Sequence, residues 1–157
     1  MKMKKLFVLF SMIFVFMGSA FAQQGIQAAG VNLNYGTKIK SFGLGVKYQY
    51  NLTNNVRFEP SINYFFENGG KDQFDLNANV HYLYPMASYV RAYPLAGFTF
   101  ARWDALKGTD FTRLGINAGA GIEFDIADKL MFNLELKYQF VSDFNQTLFN
   151  AGVSYMF

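Results

Sequence analysis

His81 is the only histidine of the chain, and cysteine is absent from the sequence. A catalytic histidine needs a neighbouring nucleophile or acid, and Ser61 is the nearest hydroxyl that the pattern places on the same face. Zinc sites are usually built on pairs of histidine or cysteine ligands, and the sequence offers no pair of either type. We therefore interpret His81 as a structural residue with satisfied hydrogen bonds, and we expect no enzyme activity, no cofactor and no metal.

Charged residues recur at alternate positions inside otherwise apolar runs. A charge on an enclosed face must be paired with an opposite charge, so ion pairing is the chemistry that this spacing predicts. The residues concerned are Lys47, Arg57, Glu59, Asp75, Arg91, Glu123, Asp125, Glu135 and Lys137.

The first 22 residues have the three parts of a secretory signal. Three lysines precede an apolar run over 6–17, and Ala20 and Ala22 supply the small side chains of a cleavage site. The apolar run is shorter than the roughly 20 residues that a membrane-spanning helix needs. We predict a cleaved signal peptide at 1–22, an exported chain that begins at Gln23, and a single domain over 23–157.

The basic balance of the chain comes from this signal. The full sequence has 14 Lys+Arg and 11 Asp+Glu, so removal of the three signal lysines leaves 11 against 11. The exported part is formally neutral, which argues against nucleic acid as a partner. Aromatic residues make up 19% of the sequence, and so much aromatic surface needs an apolar environment.

From residue 27 onward, apolar and polar residues alternate with the period of two that indicates half-buried strands. Leu44, Val46 and Tyr48, for example, alternate with Gly45 and Lys47. Most runs have the length that a tilted strand needs to cross a bilayer. The eight predicted strands cover 28–35, 42–50, 56–66, 74–82, 90–100, 114–124, 130–140 and 149–157.

The connections between these strands differ in length. Tight turns are expected at 53–55, 85–86 and 127–129, and longer loops at 36–41, 67–72, 104–110 and 142–146. This pattern is typical of an up-and-down transmembrane barrel with both termini in the periplasm. Pro60 and Pro94 fall inside strands, where a missing N–H removes a ladder hydrogen bond, so we expect a bulge at each.

Alternation alone leaves open whether the apolar face points outward to lipid or inward to a core, as in a soluble ligand-binding barrel. An eight-stranded barrel has an interior just wide enough for side chains, which the rows of Phe, Tyr and Leu would overfill. The aromatic residues also cluster near the strand ends, with aliphatic residues such as Val31, Leu134 and Ala151 between them. Two aromatic girdles around an aliphatic band are selected by a lipid interface.

The sequence resembles the small outer-membrane β-barrel proteins of the OmpX, OmpA-barrel and opacity-protein type. The resemblance covers 23–157 and is carried by the signal, the eight strands, the stretch 115–124 and the terminal residues Tyr155 and Phe157. It implies an eight-stranded antiparallel transmembrane barrel in the outer membrane of a Gram-negative-type bacterium. It also implies that the barrel assembly machinery reads Tyr155 and Phe157 and that outer-membrane lipids surround the wall.

In such a barrel the alternating charges point into the lumen and form two groups. Arg57, Glu59, Arg91, Glu123 and Asp125 share the periplasmic half. We expect them to form an ion-pair cluster that plugs the lumen. Lys47, Asp75, Glu135 and Lys137 lie in the upper half.

The leading hypothesis is a non-enzymatic barrel that contributes to envelope structure or surface interaction. The alternative is a narrow, porin-like conduit whose lining is made by the same charges. Trp103, in the third predicted loop, is expected to anchor in the headgroup region, with contact to a ligand as the alternative. The sequence identifies no surface partner.

Overall fold

The computed structural model describes residues 25–53, 55–105, 111–142 and 144–157. The predicted signal at 1–22, with Ala20 and Ala22, lies outside these residues and stays a prediction. The strands are β1 (Gln27–Gly36), β2 (Ser41–Asn51), β3 (Val56–Asn68), β4 (Lys71–Tyr82), β5 (Tyr84–Ala87), β6 (Val90–Ala105), β7 (Phe111–Ala127), β8 (Leu130–Val141) and β9 (Gln146–Met156).

These strands form one closed antiparallel barrel. Consecutive strands pair with each other, except β4 and β5; β1 also pairs with β9, and β4 pairs with β6. Because β4 and β5 both pair with β6, they form one interrupted strand, and the barrel has the eight strands that the alternation predicts. In the part of the chain that the structure describes, no helix is long and apolar enough to cross a membrane.

The interruption between β4 and β5 faces Pro94. The last β4–β6 pair is His81 with Leu95, and the first β5–β6 pair is Tyr84 with Ala92, in unchanged register. Pro94 lies between these pairs and has no N–H to donate. On its other side Pro94 stays paired with β7.

The prediction of a bulge at Pro60 and at Pro94 is therefore wrong. Around Pro60 the β2–β3 pairing stops and then resumes in the same register, while the β3–β4 pairing continues through it. A proline removes a hydrogen bond on one side of its strand only, so the ladder opens there without an inserted residue. The register shifts lie instead between Phe65/Asn68, Pro85/Ala87 and Asp125/Ala127.

Two of the predicted connections are also corrected. The expected loop over 67–72 is a two-residue turn at Gly69 and Gly70, with φ of 63° and 81°. Positive φ at both central residues suits the twist of a tight hairpin and favours glycine. The turn expected at 85–86 lies at Ser88 and Tyr89, because β5 continues the pairing past Pro85.

The apolar face points outward, as the volume argument predicts. Phe98 and Leu114 expose 62% and 68% of their surfaces, whereas Asn79 and Asn117 on the opposite face are 0% exposed. Most of the buried side chains that face the lumen are polar. In hydrocarbon the closed ladder satisfies the backbone groups of the wall, and lipid takes the place of a protein core.

The aromatic girdles lie at the two ends of this outer wall. At the loop end Phe42 and Phe140 expose 56% and 51% of their surfaces, and at the turn end Tyr82 and Tyr155 each expose 52%. Amphipathic and aromatic rings at both rims match the two interfaces of a bilayer.

Trp103 does not anchor in the headgroup region. It is 0% exposed and lies inside the loop end of the barrel, where its ring centroid is 4.5 Å from that of Phe144 and its Nε1 donates to Gln73 Oε1 at 3.0 Å. The reason is that β6 extends to Ala105, so Trp103 keeps the inward parity of Thr99 rather than lying in a loop. Its neighbours in a loop-side apolar cluster are Ile39, Phe65, Ala101, Val141, Phe144 and Leu148.

Because Trp103 is the only tryptophan, its fluorescence tests this placement. In vesicles that contain brominated lipid, we expect weaker quenching of the wild-type protein than of the variant Trp103→Phe/Phe100→Trp. Phe100 is on the same strand but faces outward, so the variant moves the fluorophore to the lipid side. Equal quenching of the two proteins would contradict the lumen position.

Candidate functional site

A guanidinium–carboxylate pair crosses the barrel near its turn end. Arg57 on β3 donates to both oxygens of Glu123 on β7, with N···O distances of 2.6 and 3.0 Å. Its Nε donates to Asn51 Oδ1 at 2.9 Å. Both charged side chains are almost fully buried, at 3% and 1% exposure. Since β3 and β7 are not neighbours, this bidentate pair spans the lumen and joins opposite walls.

Arg91 extends the network toward the rim. Its Nε donates to Glu123 Oε1 at 2.6 Å, and its two terminal nitrogens donate to the carboxylate of Asp125 at 2.6 and 3.0 Å. Arg91 and Asp125 are about a quarter exposed. Glu123 is thus shared by two guanidinium groups, and the network contains two cations and two anions. We call these four residues, Arg57, Arg91, Glu123 and Asp125, the turn-side network.

Glu59 is not part of the turn-side network, although the sequence analysis places it there. Its Oε2 accepts from Gln49 Nε2 at 2.7 Å, and its Oε1 lies 3.7 Å from His81 Nε2. Residues two apart on a strand share a face but lie about 6.6 Å apart along the strand. Glu59 therefore lies one level deeper in the lumen than Arg57.

His81 is buried, but it is not the hydrogen-bonded residue that we expected. Its ring stacks on Tyr93, with centroids 4.4 Å apart and planes within 10°. Neither of its nitrogens has a hydrogen-bond partner among the described residues. Packing rather than hydrogen bonding orients the imidazole.

Three of the predicted upper-lumen charges lie near this histidine. Lys137 Nζ is 3.9 Å from Glu135 Oε1, and Glu135 Oε2 accepts from the Tyr93 hydroxyl at 2.9 Å. Lys47 Nζ donates to Asn133 Oδ1 at 2.5 Å. Asn133 in turn donates to Tyr93 at 3.3 Å, so Tyr93 links these side chains.

Asp75, the fourth predicted upper-lumen charge, is held differently. Its carboxylate is 0% exposed, and no cation among the described residues lies within ion-pair distance. Four amides donate to it instead. They are Asn63 and Asn77 at 2.8 and 2.6 Å to Oδ1, and Gln73 and Gln139 at 3.2 Å each to Oδ2.

Several lumen residues were not singled out in the sequence. Tyr93 contacts Glu135 and Asn133. Its ring has room because residue 121 is glycine, and a Cβ there would lie 2.4 Å from Tyr93 Cζ. The amide cage of Asp75 was also missed. Its members occupy the inward-facing positions of their strands. The alternation therefore indicates that they face the lumen, but it does not indicate that they bind the same carboxylate.

A closed antiparallel barrel with an apolar, girdled outer wall and a polar lumen is an integral β-barrel of a membrane. The sequence matches the family described as outer membrane protein beta-barrel domain over residues 8–157. The chain belongs to this family, and its wall is in contact with membrane lipid. No curated protein matches the sequence.

Solved structures of small outer-membrane barrels share the fold. The N-terminal β-barrel domain of Pseudomonas aeruginosa OprF matches with a TM-score of 0.72 at 15% identity, covering 85% of this chain and 98% of that one. Neisserial surface protein A matches with a TM-score of 0.68 at 17% identity, over 84% and 96% of the two chains. Yersinia pestis Ail matches with a TM-score of 0.60 at 18% identity, over 86% and 100%.

Proposed function

We propose that this outer-membrane barrel is a non-enzymatic protein with a sealed lumen, which contributes to envelope structure or surface interaction of a Gram-negative-type bacterium. The observation that carries the proposal is the turn-side network, which joins β3, β6 and β7 across the interior. An eight-stranded barrel has no width to spare for an aqueous channel, and charges bonded to each other are not available to an ion in transit.

The barrel wall provides the structural part of this role. Its two girdles and apolar band fix the protein across the outer membrane, with lipid as its principal partner. We infer that both termini face the periplasm, since an even number of strands places them at the same end as the short turns at 88–89 and 128–129.

We also propose that the last strand serves in assembly. Tyr155 and Phe157 face outward and expose 52% and 63% of their surfaces. They remain accessible at the end of β9, where the assembly machinery would bind before the strand pairs with β1.

Any surface partner is bound along a rim rather than in a loop domain. Of the loop-side connections, 37–40, 69–70 and 142–145 are four residues or shorter. Such connections are too small to form a folded binding unit, so contact with another surface would use side chains at the strand ends.

Conductance in a planar bilayer tests the sealed lumen. The purified wild-type protein is expected to show no resolved openings. Arg91→Ala removes the link between Glu123 and Asp125, so we expect it to raise the conductance. Lys129→Ala is the matched control, since it removes an exposed cation from the β7–β8 turn.

Two results would count against the proposal. Well-defined openings of the wild-type protein would favour the narrow conduit instead. A trace for Arg91→Ala that is the same as that of the wild type would show that the network does not form the seal.

A further inference from the structure

Glu59, His81 and Glu135 bring three potential metal ligands together in the middle of the lumen. One ligand atom from each side chain lies within 4.8 Å of the other two, and all three residues are buried. They come from β3, β4 and β8. The set therefore joins two adjacent strands to the opposite wall, one level above the turn-side network.

Neighbouring side chains hold each carboxylate by a hydrogen bond to one of its oxygens, as is usual for carboxylates that bind metals. Gln49 holds Oε2 of Glu59, and the Tyr93 hydroxyl holds Oε2 of Glu135. In each case the other oxygen, Oε1, is left for a further interaction. Hydrogen bonds of this kind to ligating side chains fix their geometry and raise metal affinity.

The imidazole provides an independent indication of a ligand. His81 is 0% exposed, its ring plane is fixed by Tyr93, and neither ring nitrogen has a hydrogen-bond partner among the described residues. Oε1 of Glu135 is also buried without a hydrogen bond. Buried polar atoms without partners are costly, and a cation between these three groups would satisfy them together.

Two lysines set the charge balance around this set. Lys137 Nζ lies 3.9 Å from Glu135 Oε1, and Lys47 Nζ donates to Asn133 Oδ1. Both point into the same part of the lumen as the two carboxylates. They can compensate Glu59 and Glu135 when no cation is present, and Lys137 would have to move away from Glu135 when one binds.

We propose that Glu59, His81 and Glu135 form a binding site for a divalent transition-metal ion, with Zn²⁺ as the best fit. One imidazole and two carboxylates are ligands that zinc accepts, at about 2.0–2.2 Å, with a fourth position left for water. Ligands on a tetrahedral zinc lie about 3.4 Å apart. His81 Nε2 and Glu59 Oε1, at 3.7 Å, are already close to that separation. Small movements of the flexible glutamate side chains would bring the other ligand atoms to it.

Zinc binding by the full barrel tests this proposal. The protein is refolded into detergent with Zn²⁺ and, separately, given Zn²⁺ after folding, because the lumen is closed at both ends. After dialysis against metal-free buffer, we expect one retained zinc per barrel in at least one of the two preparations, measured by elemental analysis. Competition with a zinc indicator then gives the affinity.

The decisive variant is His81→Phe, which keeps the ring stacked on Tyr93 but removes both nitrogens. We expect it to weaken zinc binding by more than the roughly 10–100-fold that loss of an outer-shell partner costs, because a direct ligand is removed. Glu135→Gln is the second variant and is expected to act in the same direction. Asp128→Asn, which changes an exposed carboxylate in the β7–β8 turn, is the matched control and should retain the zinc.

Gel mobility without boiling shows that each variant has folded. Absence of retained zinc in both wild-type preparations, or equal affinity of His81→Phe and the wild type, would overturn the metal site. Neither result bears on the sealed lumen, which depends on the turn-side network and is measured by conductance.

Discussion

Replacement of Glu123 by alanine is expected to lower the free energy of unfolding by roughly 3–5 kcal/mol, the range for loss of one partner of a buried ion pair. Glu123 is 1% exposed and accepts from both Arg57 and Arg91. Its removal leaves Arg57 buried with no carboxylate among its described contacts. Arg91 keeps Asp125 and is closer to water, so most of the loss arises at Arg57.

Urea unfolding in lipid vesicles measures this loss, with Arg57→Met and Asp128→Ala as comparison variants. Arg57→Met should cost less than Glu123→Ala, because Glu123 then still binds Arg91. Asp128→Ala changes an exposed turn residue and should stay within about 0.5 kcal/mol of the wild type. If Glu123→Ala were no more harmful than Asp128→Ala, the turn-side network would not stabilise the barrel.

Asp75→Leu is the second substitution for which we expect a large effect. The leucine has the same branching of heavy atoms, although it is larger, and it cannot accept a hydrogen bond, so four buried amides lose their common acceptor. Each buried donor left without a partner costs about 1–3 kcal/mol. Gln139 also donates to Thr99 and so loses less, but the total should still reach several kcal/mol.

Asp75→Asn separates the hydrogen bonds from the shape of the side chain. Asparagine keeps one accepting oxygen for Asn63 and Asn77, but its amide group opposes the donors of Gln73 and Gln139. Its unfolding free energy should therefore lie between those of the wild type and Asp75→Leu, under the same urea conditions. A leucine variant as stable as the wild type would show that the cage does not depend on the carboxylate.

The barrel itself could be predicted from the sequence because period-two alternation acts at every strand. Side chains of a strand must point alternately to the two faces, so Leu44 and Lys47 are assigned to opposite faces without knowledge of the partners. The aromatic girdles and the outward apolar face follow from the same rule. The number of strands was right for this reason.

The wrong or missing predictions concern the ends of strands and the level of side chains along the lumen. The Gly69–Gly70 turn and the inward position of Trp103 both follow from strands that extend beyond the apolar alternation. Glu59 was assigned to the wrong group because parity gives the face of a residue but not its height. The amide cage of Asp75 needs the relative stagger of β3, β4 and β8, which no single strand specifies.

The two ends of the lumen are filled by different kinds of side-chain contact. At the loop end Trp103, Phe65 and Phe144 belong to one buried apolar cluster, and apolar side chains cannot replace the hydration shell of an ion. At the turn end the charges of the turn-side network are bonded to one another, and salt weakens the interaction between its partly exposed members, Arg91 and Asp125. High ionic strength thus acts on only one of the two ends, so we expect any conductance induced by salt to arise, like that of Arg91→Ala, from disturbance of the turn-side network.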